Sequence, residues 1–162
     1  MAPTNNQPTM QVVVDSAAVQ AMLASAPAKV KDTIRMQIEG AAIAVQREMR
    51  IEANVGATGD LRRSIRYTYT PSLLQAEISP NVPYSADLEY GGPPRWVSVA
   101  PGTPLRAWAD IKGLNPYAIR ASIAKKGTKA HPFVQPTFEK MKPIVEEKIA
   151  AGIAAMVEGL RS

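Results

Sequence analysis

The sequence predicts an α+β fold in which a small antiparallel β-sheet packs against two long α-helices, with a Pro-rich loop and a short helical insertion. Three observations carry that expectation. Apolar residues recur every three or four positions in two long stretches, through Val30, Ile34, Ile38, Ala42, Val45 and Met49, and again through Phe138, Met141, Val145, Ile149, Met156 and Leu160 with Ile153 alongside, the spacing of one helix face. Between them, residues 65–79 alternate apolar and polar with period two about Pro71-Ser72, the mark of a hairpin with one wet face. The chain also lacks the regular strand–helix alternation that builds a parallel sheet.

Each element has a local reason. Met10 to Val14 is short and β-branched and reads as a strand, with Asp15 and Ser16 behind it as helix N-caps. Ala17 to Ser25 has helical composition up to Pro27, and the first long helix then runs from Ala28 to about Glu52. Gly40 inside it costs roughly 1 kcal/mol relative to Ala, which suggests that another element approaches closely there. Asn54, Gly56 and Gly59 end that helix. In the hairpin, Ile65, Tyr67 and Tyr69 share a face with Leu74, Ala76 and Ile78.

A short helix is expected from Tyr84 to Tyr90, stopped by Gly91-Gly92. Pro93 to Pro104 holds four of the fourteen prolines and reads as a loop, and loops of this length tend to be functional or flexible. Helices Leu105–Lys112 and Pro116–Lys126 follow, with Leu105, Trp108, Ile111, Tyr117, Ile119 and Ile123 as one buried stripe. Phe133 marks a further short strand, and the last helix begins at Pro136, with Pro143 expected to kink its first turns. The domain plan is a flexible tail over residues 1–10 and one α+β domain over 11–162, with the loop and helical pair inserted at about 92–128.

Composition limits the chemistry. The 162 residues include no Cys and one His, which excludes disulfides and cysteine-based metal sites. Apolar residues make up 46% but aromatics only 6%, a composition suited to close helix packing rather than a deep aromatic pocket. The 19 basic and 14 acidic residues leave a formal charge of +5, which permits an acidic partner without requiring one. No stretch approaches the ~20 apolar residues of a membrane span, and residues 1–9 lack a secretory pattern. A protein made and kept in the cytoplasm, without membrane contact, is expected.

No catalytic, cofactor-binding or metal-ligating residue stands out. His131 is alone beside Pro132; Asp87 and Glu89 lie two apart, point apart on a helix and read as a solvated face; Ser64 and Ser85 have no adjacent base. Gly91-Gly92 runs into prolines, which lack the amides that cradle a phosphate. Basic residues do cluster. Arg62, Arg63 and Arg66 stand at the hairpin entrance, and Arg120, Lys125, Lys126, Lys129, Lys140 and Lys142 lie close together. A solvated face, a charged protein interface and contact with nucleic acid all fit them. Trp96, Val97 and Val99 in the Pro-rich loop, together with Trp108, either mark a protein contact or fold back as a plug for the chain's own core.

Three blocks, Thr58-Gly59-Asp60-Leu61-Arg62-Arg63-Ser64-Ile65, then Ile78 through Pro83-Tyr84 to Leu88-Glu89-Tyr90-Gly91, then Lys126-Gly127-Thr128-Lys129-Ala130-His131-Pro132-Phe133 to Phe138, occur in this order with a long helix before and after. In that arrangement the chain, from about Val30 onward, resembles the neck proteins of siphophage-type tailed phages, called tail completion, head–tail joining or minor tail proteins. The segment with Trp108, Lys112-Gly113-Leu114 and Ala121 to Gly127 is similar to an insertion in many of them.

The resemblance implies a non-enzymatic virion protein without cofactors, assembled in the host cytoplasm. It implies a self-associating ring, expected to be a hexamer, at the junction of capsid and tail, touching neighbouring neck and tail proteins. A closed ring needs two different patches per subunit. The expected ones are the Trp96 loop with Val97, Val99 and Trp108, and the exposed face of a long helix. Arg62, Arg63, Lys125, Lys126 and Lys129 are then candidates for non-specific contact with double-stranded DNA passing through the channel. A tail terminator capping the tail tube is the close alternative, and a basic DNA-binding protein is the alternative of another class.

Overall fold

The computed structural model describes residues 8–13, 28–53 and 58–161. Strand β1 (Met10–Val13) precedes the long helix α1 (Ala28–Glu52). Helix α2 (Asp60–Ser64), strand β2 (Arg66–Thr70), a 3-10 turn (Pro71–Leu73) and strand β3 (Gln75–Ser79) follow. The chain then forms α3 (Ser85–Tyr90), the pair α4 (Pro104–Lys112) and α5 (Pro116–Lys126), and the last long helix α6 (Val134–Arg161). The fold is α+β.

Both sheet partners run antiparallel to the central strand, in the order β1-β3-β2. Met10 and Tyr67 flank Ile78, while Val12 and Tyr69 flank Ala76, so the alternation seen in the hairpin places one apolar face inward. Ala76 and Ile78 are fully buried there. The hairpin turns through Leu74, whose φ of 47° is left-handed and whose amide donates to the Pro71 carbonyl at 3.3 Å.

Helix α1 covers the inner face of the sheet with Ile38, Ala42, Val45 and Met49, each 1% exposed or less. Helix α6 lies antiparallel along α1 and completes the same core through Met141 and Val145, with Phe133 just ahead of its first turn. The antiparallel sense is set by three contacts. Lys140 pairs with Glu48 and, at 3.6 Å, with Glu52; Lys148 lies over Gly40; and Gly152 sits against Gln37. The approach expected at Gly40 is therefore made by α6, and it is tightest at Gly152. Gln46 Nε2 and Arg50 donate to the Ile65 carbonyl at 3.0 and 2.7 Å and tie the start of β2 to α1.

Several expectations change. Phe133 is not in a strand, because the neighbouring amides are already taken: His131 N–H donates to the Leu88 carbonyl, Phe133 N–H to Glu89, and Pro132 has none. Helix α6 begins at Val134 rather than Pro136, and Pro136, in its first turn, removes an amide that has no intrahelical partner anyway; the helix continues through Pro143, which leaves the Glu139 carbonyl without its i+4 amide donor. On α6, Phe138 and Ile153 are exposed rather than buried, and the Leu160 side chain lies outside the described part. The α4–α5 stripe is only half formed, since Ile111 and Tyr117 are exposed: the two helices pack chiefly on each other. The helix expected over 17–25 and its caps lie outside the described residues. So does the tail through residue 7, whereas Pro8 is fully buried and Met10 opens β1.

Glycines separate conformation from space. Gly113 has φ 66° with nothing near a Cβ placed on it, whereas a Cβ on Gly127, at φ 76°, would sit on the Gly92 carbonyl oxygen. Gly113→Ala is expected to cost about 1 kcal/mol and Gly127→Ala about 3 kcal/mol or more, as measured by urea unfolding.

Candidate functional site

The site is built where α3 meets the start of α6. An α-helix leaves its first four amides without intrahelical partners, and no side chain at the start of α6 supplies the usual Ser, Thr, Asp or Asn acceptor. Glu89, in the last turn of α3, takes their place. Its Oε2 accepts from Phe133 N at 2.7 Å and Val134 N at 2.9 Å, and its Oε1 accepts from Gln135 N at 2.9 Å. The fourth position is Pro136, which has no amide. All four are thus accounted for by one carboxylate and one proline. The positive end of the helix dipole adds to the attraction.

Glu89 is 5% exposed, so the solvated face expected for Asp87 and Glu89 is overturned at Glu89. Two residues apart, they serve different partners, since Asp87 pairs with Arg95. Backbone bonds extend the junction: Gly92 and Thr128 exchange two hydrogen bonds of 3.1 and 2.8 Å. Gly91, at φ 76°, makes this possible, because a Cβ there would lie 2.9 Å from the Thr128 carbonyl oxygen.

Residues 93–127 therefore form an arm closed at its base. Within it Asn115 caps α5, its Oδ1 accepting from Tyr117 N at 2.9 Å. Trp96 is 71% exposed and is not a core plug; the Arg120 guanidinium lies 4.6 Å from its ring centroid and 5.3 Å from that of Tyr117. Such stacking contributes roughly 0.5–1 kcal/mol per exposed pair and holds the indole flat on the arm. Val99 is buried, outside the main core cluster, and Val97 and Trp108 are half-buried. Seven of the nineteen basic residues and one of the fourteen acidic ones fall in 93–130, so this stretch carries +6 and the remaining chain −1.

The basic candidates divide. Arg62 donates through Nε to the Ala53 carbonyl at 3.0 Å and through a terminal nitrogen to that of Ile51 at 3.3 Å, closing the carboxyl end of α1. Arg63 binds the Thr58 carbonyl at 2.7 Å and Asp60 at 2.6 Å. Hydrogen bonds from Thr58 and then Arg63 hold the Asp60 carboxyl below its usual range. Lys125, Lys126 and Lys129 are exposed, and among the described residues no ion pair engages them.

Sequence reasoning missed Glu89 as a cap and Arg120 as the partner of Trp96. The three sequence blocks do meet: Tyr84, from the second, feels the Asp60 charge of the first, and Arg62 lines an open cleft of about 410 Å³ with Ala130, His131 and Pro132 of the third. A second open cleft, about 480 Å³, lies beside Met10, Tyr90 and Phe138. Among the described residues no three His, Asp or Glu side chains group as metal ligands. No protein-family model, curated protein or solved structure matches the chain.

Two outcomes follow. Glu89→Ala leaves two buried amides and one partly buried amide without an acceptor and is expected to cost about 3–5 kcal/mol, against about 1–2 for Glu89→Gln, which keeps an acceptor oxygen; chemical denaturation at neutral pH measures both. Burial, then the Asp60 carboxylate, raises the Tyr84 phenol above its ordinary 10.0, and burial raises that of Tyr69. The unfolded chain then ionises first, so stability is complete below pH 10.0 and falls as pH rises through the raised folded values. Tyr84→Phe should flatten that alkaline decline in a pH series of thermal melts.

Proposed function

We propose that this protein is a structural, non-enzymatic component of a tailed-phage neck, forming a ring that acts in tail completion or head–tail joining. The observation that supports this best is the convergence of the three blocks that carry the resemblance. Residues 78–91 and 126–138 are separate in sequence, yet Glu89 joins them and the adjoining Gly92–Thr128 pair extends the joint; residues 58–65 border it through Asp60, near Tyr84, and Arg62, in the cleft with Ala130, His131 and Pro132. Their glycines and prolines set backbone direction, and Glu89 serves as a cap. Such a junction is a rigid base for an arm, which is what an assembly part needs. The arm presents Trp96, Tyr117, Ile111 and Leu114 to solvent, all 46% exposed or more, an apolar display suited to a neighbouring protein.

The concentration of +5 on the arm also favours the runner-up, a DNA-binding protein. A sequence reader should bind a preferred duplex at moderate salt, whereas a channel lining should bind weakly and lose affinity steeply as salt rises. The main reading is tested by particle composition together with a deletion. The protein is expected in purified virions at ring stoichiometry, and its deletion should leave heads and tails unjoined. Particles that lack it, with normal assembly in the deletion, would overturn the reading.

A further inference from the structure

Two faces of the chain match each other and are not satisfied among the described residues. From Ile149 to Val157 every residue of α6 is uncharged, and all but Gly152 are apolar. A helix that is apolar all round is a covered helix, yet α1 covers one side only. Ile149 and Met156 pack there, while Ile153 and Val157 remain 42% and 40% exposed. Immediately before this stretch, Glu146 and Glu147 are exposed, and among the described residues no ion pair engages them.

The arm has the complementary character: exposed aromatic and aliphatic side chains beside unpaired Lys125, Lys126 and Lys129. Elsewhere on the surface some charges are paired, Arg106 with Asp110 and Lys140 with Glu48, while others, Lys112 and Lys148 among them, are in no ion pair among the described residues. The arm joins α6 at its first turn, and Ile153 lies nineteen residues further on, about 28 Å along the axis. A second copy brings the two faces together.

Resting on the ring reading, we infer that the arm of one copy docks on the distal half of α6 in the next, with Trp96 and Tyr117 covering Ile153 and Val157 and the lysines facing Glu146 and Glu147. The contact is heterologous, head to tail, the type whose repetition closes a ring when the rotation between copies divides a full turn. Phosphate would engage the lysines, but it would leave Trp96, Ile111 and the distal face of α6 uncovered, which favours a protein partner over DNA. Burial of the apolar residues supplies the association, and the charges set register and exclude wrong pairings.

The cysteine-free chain makes the test direct. Trp96→Cys and Ile153→Cys are made separately and together in the full chain, treated with a short bismaleimide and run on a denaturing gel. Thermal melts like the parent's establish that both variants fold. A mixture of the single variants is expected to give a covalent dimer, each alone none, and the double variant a ladder. Charge reversal at Lys125 and Lys126 should weaken association at least about tenfold at low salt, and reversal of Glu146 and Glu147 on the partner should restore it. An oligomer that persists with no crosslink in the mixture overturns this interface while leaving the ring intact. Crosslinking by Trp96→Cys alone, a monomer at every concentration, or charge reversals that alter only DNA binding also overturn it. The neck reading is judged separately, by particle composition.

Discussion

A single carboxylate decides how the second half of the molecule is assembled. The amides of Phe133 and Val134 are buried away from water and that of Gln135 is partly buried, and Glu89 accepts from all three. Neither side is tolerable alone: an unpaired buried carboxylate costs several kcal/mol, and each orphaned buried amide about 1–3. Together they are charge-assisted hydrogen bonds at the positive end of a 28-residue helix. The cap comes from 44 residues upstream, so α6 cannot take its place along α1 unless α3 is also docked. Phe133, fully buried between them, adds roughly 1.5–3 kcal/mol that depends on the same geometry.

That junction also gives the arm its place. With Gly92 and Thr128 bonded to each other and His131 bonded to Leu88, the chain leaves and rejoins the body at one point. The 35 residues between are free to differ in character from the body they stand on, and they do, carrying nearly all the unbalanced positive charge. The body is close to neutral and holds the aliphatic core. A division of this kind suits a part whose work is contact.

Periodicity made the large elements legible in the sequence. The 3.6-residue spacing of α1 and the alternation of the hairpin both depend on side chains that face one core, and the residues they nominated are buried with few exceptions. The α6 exceptions, Phe138 and Ile153, have a physical reason: apolar spacing marks every face that meets a neighbour, and among the described residues α1 is the main neighbour of α6 and covers one side of it. The pairing of β1 with β3 carried no local signal, because four residues do not state their partner. Glu89 was misread because its neighbours Asp87 and Tyr90 are polar or exposed, and capping rules look three or four residues away. A signal was present at the other end of the interaction. A helix that opens Pro132-Phe133-Val134-Gln135-Pro136 has no side-chain acceptor of its own and must receive one from elsewhere. Trp96 was left open between plug and contact, and Arg120, stacked on its face, is what holds it outward.

The dependence of the fold on this cap is tested most directly by amide hydrogen exchange in the unmodified protein. First-turn amides of a helix normally exchange rapidly, ahead of the interior. With the Glu89 cap in place, the amides of Phe133, Val134 and Gln135 should exchange as slowly as that of Val145 in the middle of α6, the three moving together as one unit. Rapid exchange of those three, at the rate of a fraying helix end while Val145 stays protected, would contradict it.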